Sequence, residues 1–321
     1  MINDKILLTG GTGFFGKALL RHWCLNEDNG LVTPRVYVLS RSPKEFIENY
    51  PEFKSRKWLT LHLGNILEQK TLPIDEFTHI LHAATDSTLG LKLNPLERYI
   101  QIVDGTRNML EFAVAKRIPR FLLVSSGGVY GAQPLGMKRI PETFHGIPDP
   151  LNSENVYSMA KRITEHLCAI FNAQYGVETI IARCFTFIGR DLPLNAHFAA
   201  GNFIRDALYT SEIIVEGDGT AVRSYMDQRD LAEWLIKILM CGIKGKAYNV
   251  GSDESISIRE LAFLIRDTIA QSKPVKIIGV EKIQNYKNIY VPSIIKAKND
   301  LGLKINYSLE ESIKETIAHI K

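Results

Sequence analysis

The chain has 321 residues, 45% of them hydrophobic and 23% charged, an ordinary globular balance whose length predicts two lobes. Its 39 basic and 35 acidic residues leave a formal charge of +4, with no dense basic block to mark a nucleic-acid surface. No apolar run approaches the roughly 18 residues of a membrane span, so neither nucleic acid nor membrane is an expected partner.

The N-terminus, Met1–Lys5, runs at once into Ile6-Leu7-Leu8, which leaves no room for a signal peptide. Short apolar runs follow, each bounded by Gly, Pro, Ser or Asp. They predict strands at Lys5–Thr9, Arg35–Ser40, Leu59–Leu63, His79–His82, Phe121–Ser125, Thr179–Arg183 and Lys246–Val250. Amphipathic stretches between them predict helices at Gly16–Asn26, Leu96–Arg117 and Val156–Tyr175. In the last, Ala160, Ile163, Leu167, Ile170 and Phe171 share one face. Such alternation reads as a parallel sheet covered by helices on both sides. After about residue 186 the rhythm breaks. Residues 186–219 are mixed, and Asp191-Leu192-Pro193 opens a loop. Helix patterns return at Ser257–Gln271 and Ser308–Ile320, around a Lys- and Asn-containing middle. The four cysteines, Cys24, Cys168, Cys184 and Cys241, are scattered without a CxxC pair, as reduced thiols of a cytoplasmic protein would be. His62, His79, His82, His145, His166 and His197 form no ligand cluster, so no metal is expected.

The strongest local signal is Thr9-Gly10-Gly11-Thr12-Gly13-Phe14-Phe15-Gly16, which follows a strand and opens a helix. Glycines permit a tight turn and close approach of backbone to a pyrophosphate, and the helix N-terminus supplies N–H donors. The second strand ends in Ser40-Arg41, with no carboxylate to accept from ribose hydroxyls. Arginine suits a 2′-phosphate, although it is also an ordinary solvated turn residue. NADP(H) is therefore favoured, with NAD(H) the alternative. Further along, Tyr157-Ser-Met-Ala-Lys161 puts a phenol and an ammonium one turn apart on one helix face. A nearby ammonium favours phenolate and so suits proton transfer. The strand before it ends in Ser125-Ser126, at the carboxyl edge where ligands bind in open α/β sheets.

With these motifs the sequence resembles an extended short-chain dehydrogenase/reductase of the NAD-dependent epimerase/dehydratase family. Further support comes from His82-Ala83-Ala84, Asp104-Gly105-Thr106, Arg183-Cys-Phe-Thr-Phe-Ile-Gly189, Gly217-Asp218-Gly219, Arg223-Ser-Tyr, Tyr248-Asn249-Val250-Gly251 and Leu301-Gly302. The resemblance implies a doubly wound parallel sheet (Rossmann) with a smaller, interleaved α/β C-terminal substrate lobe. The expected division is 1–185 plus about 220–252 for the nucleotide lobe, and 186–219 plus 253–321 for the lobe that closes over substrate. It implies Ser126, Tyr157 and Lys161 as the catalytic triad. For the cofactor it implies Gly10, Thr12, Gly13, Phe14, Phe15 and Gly16 at the pyrophosphate, and Ser40 and Arg41 at the adenosine ribose. It also implies Asn65 and Ile66 near adenine, and Ala83, Ala84, Thr85 and Ser125 beneath the dinucleotide. Ser126, Thr186 and Arg223 would meet a nucleotide-diphosphate sugar, Arg223 at the diphosphate unless it pairs with Asp227 or Asp230. His197 lies in the region where family members contact substrate, but it reads more readily as a loop or helix-surface histidine. A homodimer through the helices at 96–117 and 156–175 is the family's usual assembly.

Three departures sharpen the expected reaction. Gly127-Gly128 stands where sugar 4,6-dehydratases carry Asp-Glu, and Gly127 where epimerising reductases carry cysteine, so neither dehydration nor 3,5-epimerisation is expected. Ile102 replaces a helix asparagine, and Thr186 an asparagine facing the sugar. What remains is redox chemistry at C4: reduction of a 4-keto sugar by NADPH, with a 4-epimerase as the alternative. Further readings are a non-catalytic NADP-binding scaffold and a reductase of carbonyls without a nucleotide, which would not need Arg223.

Overall fold

In the computed structural model, residues 4–85, 93–280 and 288–320 are described. Met1–Asn3 of the N-terminal reading, and 281–287 of the Lys- and Asn-containing middle, lie outside them. The chain forms two compact units. The first comprises Met1–Val129, Pro148–Arg183 and Ala232–Tyr248; the second comprises Tyr130–Ile147, Cys184–Leu231 and Asn249–Lys321.

The first unit is built on β1 (Lys5–Thr9), β2 (Arg35–Ser40), β3 (Leu59–Leu63), β4 (His79–His82), β5 (Arg120–Ser126) and β6 (Glu178–Cys184). Helices α1 (Phe14–Asp28), α2 (Pro43–Asn49), α3 (Pro95–Ala115) and α4 (Val156–Tyr175) connect them. A seven-stranded sheet runs in the order β11-β6-β5-β4-β1-β2-β3, where β11 is Ala247–Val250. Pairing of β1 with β2 and β4, of β2 with β3 and of β4 with β5 is parallel. Strands covered on both faces need apolar residues at consecutive positions rather than alternate ones. Ile6-Leu7-Leu8, Ile80-Leu81 and Phe121-Leu122-Leu123 meet that need and are fully buried. The order reverses between β1 and β4. That switch point opens a crevice at the carboxyl ends of the strands, which in this fold is where a ligand sits.

Helix α4 turns its most deeply buried face slightly away from the expected stripe. Ala160, Lys161, Thr164, Glu165, Cys168 and Phe171 are buried, whereas Ile163 and Leu167 are only partly covered, against α3. The rotation puts an ammonium and a carboxylate inside, and the periodicity of apolar residues carries no sign of that.

In the second unit, β7 (Phe187–Ile188) pairs with β10 (Met226–Asp227) and β8 (Ile213–Val215) with β13 (Val275–Ile277). β9 (Val222–Arg223) lies between β12 (Ile256–Ser257) and β14 (Ile289–Tyr290). Its helices include α5 (Ala199–Tyr209), α7 (Ile258–Ile269), α8 (Ile295–Leu301) and α9 (Leu309–Ala318). α6 (Gln228–Cys241) begins here and continues in the first unit. α7 and α9 each start with a capping box, Ser257 with Glu260 and Ser308 with Glu311, worth about 1 kcal/mol apiece.

Two assignments differ from the sequence pattern. The stretch read as mixed, 186–219, contains α5. Tyr130–Ile147 and the residues from about 220 to Leu231, which the pattern gives to the nucleotide lobe, cluster with the second unit. Hydrogen bonds explain the first of these. Ile140 donates its N–H to Val291 and accepts from Ser293, and Tyr130 Oη donates to Asn249 Oδ1 at 2.8 Å. Asn249 Nδ2 reaches the Ile140 and Ser293 carbonyls, so the asparagine of the Tyr248–Gly251 motif is a structural hub.

Candidate active site

The glycine turn follows directly from β1. Gly10 adopts φ +73°, and a Cβ there would collide with the Ala83 carbonyl, so glycine is required for conformation and for space. Gly13 donates its N–H to Gly10 O at 3.1 Å and forms the N-cap of α1. No side chain caps that terminus and no acidic residue occupies its first turn. The positive dipole end of α1 thus suits an anion. A Cβ at Gly16 would collide with Gly11, whereas one at Gly13 would not be crowded. Gly13 is exposed and Thr12, Phe14 and Phe15 are half-buried around it. A pyrophosphate fits this cradle.

Beneath the turn, β4 ends in His82, which sequence reasoning placed in the His82-Ala83-Ala84 stretch and read as a non-ligand, without a role of its own. Its Nδ1 lies 2.7 Å from Thr9 Oγ1 and its Nε2 3.1 Å from Thr106 Oγ1. Thr106 already donates to the Ile102 carbonyl, so Nε2 carries the proton and Nδ1 accepts from Thr9. Burial, with a smaller push from the Lys161 charge, lowers the imidazole to about 3 and keeps it neutral. Ala83 then donates its N–H to Thr9 O, and Thr85 follows within reach of α4.

The Tyr157–Lys161 pair emerges at the carboxyl end of β5. Lys161 is 3% exposed, and its Nζ donates to Thr85 Oγ1 at 2.8 Å and to the Val124 carbonyl at 2.7 Å. Two neutral acceptors thus hold the ammonium. Ser126 Oγ accepts the Gly128 N–H at 3.1 Å, which leaves its hydroxyl proton available as a donor. A Cβ at Gly128 would lie 2.6 Å from Ser158 Oγ and 3.3 Å from Ser126 Oγ, so this position is closed to a side chain as packed. Ser125 turns the other way: its hydroxyl donates to Glu165 at 2.6 Å, and Glu165 also binds Arg183 Nε and Nη2. Arg98 of α3 lies 4.7 Å from the centre of the Tyr157 ring. Neither the Glu165–Arg183 pair nor Arg98 carries a motif signal, because each contact joins distant segments.

At the end of β2, Ser40 is buried and its Oγ accepts the Ser42 N–H, while Arg41 is exposed. Asn65 Oδ1 accepts from Leu67 N–H, and the Ile66 carbonyl is held by Asn108. The nucleotide-side candidates Gly10–Gly16, Ser40, Arg41, Asn65, Ile66, Ala83–Thr85, Ser125, Ser126, Tyr157 and Lys161 all belong to the first unit.

Thr186 and Arg223 belong to the second unit. Thr186 is half-buried and its carbonyl accepts from Met226. Arg223 lies 6.0 Å from the Tyr290 ring centre, and its Nη1 donates to the Val222 and Asn288 carbonyls. Burial holds its guanidinium below the ordinary arginine value. Asp227 is engaged by Arg229 and Asp230 by Asn306 and Tyr307. The ion pair considered for Arg223 with either carboxylate does not form.

The reversed strand order and the uncapped glycine turn define a Rossmann-like α/β protein of the extended short-chain dehydrogenase/reductase type. The chain belongs to the NAD dependent epimerase/dehydratase family, whose model matches residues 6–251. It is similar to UDP-glucuronic acid decarboxylase 3 of Arabidopsis thaliana, 30% identical over 312 residues, 97% of this chain and 87% of that one. Its fold is that of UDP-glucose 4-epimerase of Thermotoga maritima, solved with UDP-glucose (TM-score 0.82, 22% identity, 98% of both chains). It is also that of dTDP-glucose 4,6-dehydratase of Bacillus anthracis, solved with NAD (TM-score 0.82, 19% identity, 98% of this chain and 96% of that one). Among the described residues, no helix is long and apolar enough to cross a membrane.

Proposed function

We propose that the protein reduces the 4-keto group of a nucleotide-activated sugar, with NADPH as the favoured reductant. The observation that carries this reading is the site at the end of β5. A tyrosine and an anchored lysine share one face of α4, β5 ends in the Ser126 hydroxyl, and the glycines at 127 and 128 that follow carry no carboxylate.

The dinucleotide supplies hydride to the carbonyl carbon when bound. The glycine turn and the α1 N-terminus would hold its pyrophosphate, and Lys161 its nicotinamide ribose. Ser126 donates a hydrogen bond to the carbonyl oxygen. Tyr157 gives that oxygen its proton as negative charge develops, and the Lys161 ammonium stabilises the phenolate left behind. Arg41 would take the 2′-phosphate. Thr186 and Arg223 would meet the sugar nucleotide, Arg223 through its diphosphate.

The similarity to UDP-glucuronic acid decarboxylase 3 favours a second reading, in which a uronic acid is oxidised at C4, loses carbon dioxide and is reduced again. The same residues would serve both redox steps. Loss of carbon dioxide leaves an enolate that needs a proton at C5, and the loop Gly127-Gly128-Val129 offers no acid. Reduction is therefore placed first, and dehydration is set aside on the same ground.

The test is stoichiometric loss of NADPH absorbance with a nucleotide-linked 4-keto-6-deoxy sugar, abolished in Tyr157→Phe. Interconversion of sugar epimers without added cofactor, or conversion of UDP-glucuronate to a UDP-pentose with release of carbon dioxide, would overturn it.

A further inference from the structure

Arg98 occupies an unfavourable place for a cation. Asn94 and Glu97 form the capping box of α3, and Arg98 follows immediately, beside the positive end of the helix dipole. Helix stability does not explain it. Its guanidinium instead lies 4.7 Å from the centre of the Tyr157 ring, inside the range of a cation–π contact. The ring itself packs with Tyr99, Ile163 and Leu167 against Ile102, Val103 and Ala160, at the contact of α3 with α4. Ile102, one turn beyond Arg98, presents a buried apolar side chain there.

We propose that Arg98 is a positioning residue for Tyr157: it fixes the ring and, as a second cation besides Lys161, favours the ionised phenol. A neutral ring offers a cation its quadrupole alone, whereas the phenolate offers a full negative charge, so the contact strengthens as the proton leaves. Of the other charged groups near it, the cations act with Arg98, and the carboxylates are paired or exposed. On α4, Lys161 stands one turn on; Arg162 is bound to the Val129 carbonyl and Glu165 to Arg183. Glu154, before α4, is exposed. Tyr99 is the other titratable neighbour on α3. β5 ends in the hydroxyls of Ser125 and Ser126, and His82, at the end of β4, is neutral.

This deepens the proposed reduction and rests on Tyr157 as its proton donor, but its test needs no substrate. The protein, which has 12 tyrosines, is labelled with carbon-13 at the phenol carbon bearing oxygen, and the Tyr157 resonance is assigned by its loss in Tyr157→Phe. Titration of the cofactor-free protein then gives the Tyr157 midpoint directly. Arg98→Gln is expected to raise that midpoint by about half a unit, and Arg98→Lys, which keeps the charge, to restore most of it. An unchanged midpoint in Arg98→Gln overturns the proposal. So does an equal rise in Arg98→Gln and Arg98→Lys, which would assign the effect to packing. If Arg98→Gln does not fold, Arg98→Met against Arg98→Lys makes the same comparison. A protein inactive on every 4-keto sugar nucleotide would overturn the reduction and leave this titration standing.

Discussion

Replacing Glu165 by leucine tests how the site is supported from within. Glu165 and Arg183 expose only 10% and 17% of their side chains, and the shortest contact between them is 2.7 Å. The same carboxylate accepts the hydroxyl proton of Ser125, which is 2% exposed and adjoins Ser126. Glu165→Leu removes the anion and leaves a largely buried guanidinium and a buried hydroxyl without it. Breaking a buried pair from one side costs about 3–5 kcal/mol, and the residual exposure of Arg183 sets the expectation at about 3 kcal/mol. For a unit of this size that is a fall of roughly 6–12 °C in Tm. Glu165→Leu combined with Arg183→Met removes both charges and is expected to recover all but about 1 kcal/mol. Calorimetry and urea midpoints on the single and double variants measure both quantities. A single variant within about 1 kcal/mol of the parent, or a double variant no more stable than the single, would refute the reasoning.

Three further outcomes are expected. His82 binds a proton at its ordinary 6.5 when unfolded but only near 3 when folded, so the unfolded state holds more protons between those values. Stability therefore falls with decreasing pH across that window, by up to about 1.4 kcal/mol per unit, and His82→Gln should flatten the slope in acid unfolding curves. Gly128→Ala should lower kcat about tenfold or more, because the methyl displaces Ser158 or Ser126; unchanged kcat would show that this close packing is irrelevant. Arg41→Ala should weaken NADPH binding by about tenfold or more and leave NADH unaffected, as read by fluorescence titration; equal effects on both would remove the 2′-phosphate assignment.

Several elements were written locally. Strands β1 to β4 run where short apolar stretches meet Gly, Pro, Ser and Asp; β1, β2 and β4 are largely buried inside the sheet, whereas β3, at its edge, has no fully buried residue. Ser257 and Ser308 announce α7 and α9 because a capping box is complete within four residues. The glycine turn and the Tyr157–Lys161 spacing were legible for the same reason: strand, turn, helix and one helical repeat are all short-range. α5 was not, since 186–219 carries no comparable boundary signal.

Tertiary structure decided whatever joins distant segments. It brought Arg98 to Tyr157 across two helices, Lys161 to Thr85, and Glu165 to both Ser125 and Arg183. It withheld Asp227 and Asp230 from Arg223 by giving them Arg229 and Asn306. It also moved Tyr130–Ile147 out of the nucleotide lobe, through the Asn249 side chain. Backbone propensity and periodicity reach only a few residues along the chain. The partner that satisfies a buried charge is chosen by which segments pack together, and that choice leaves no periodic trace in the sequence.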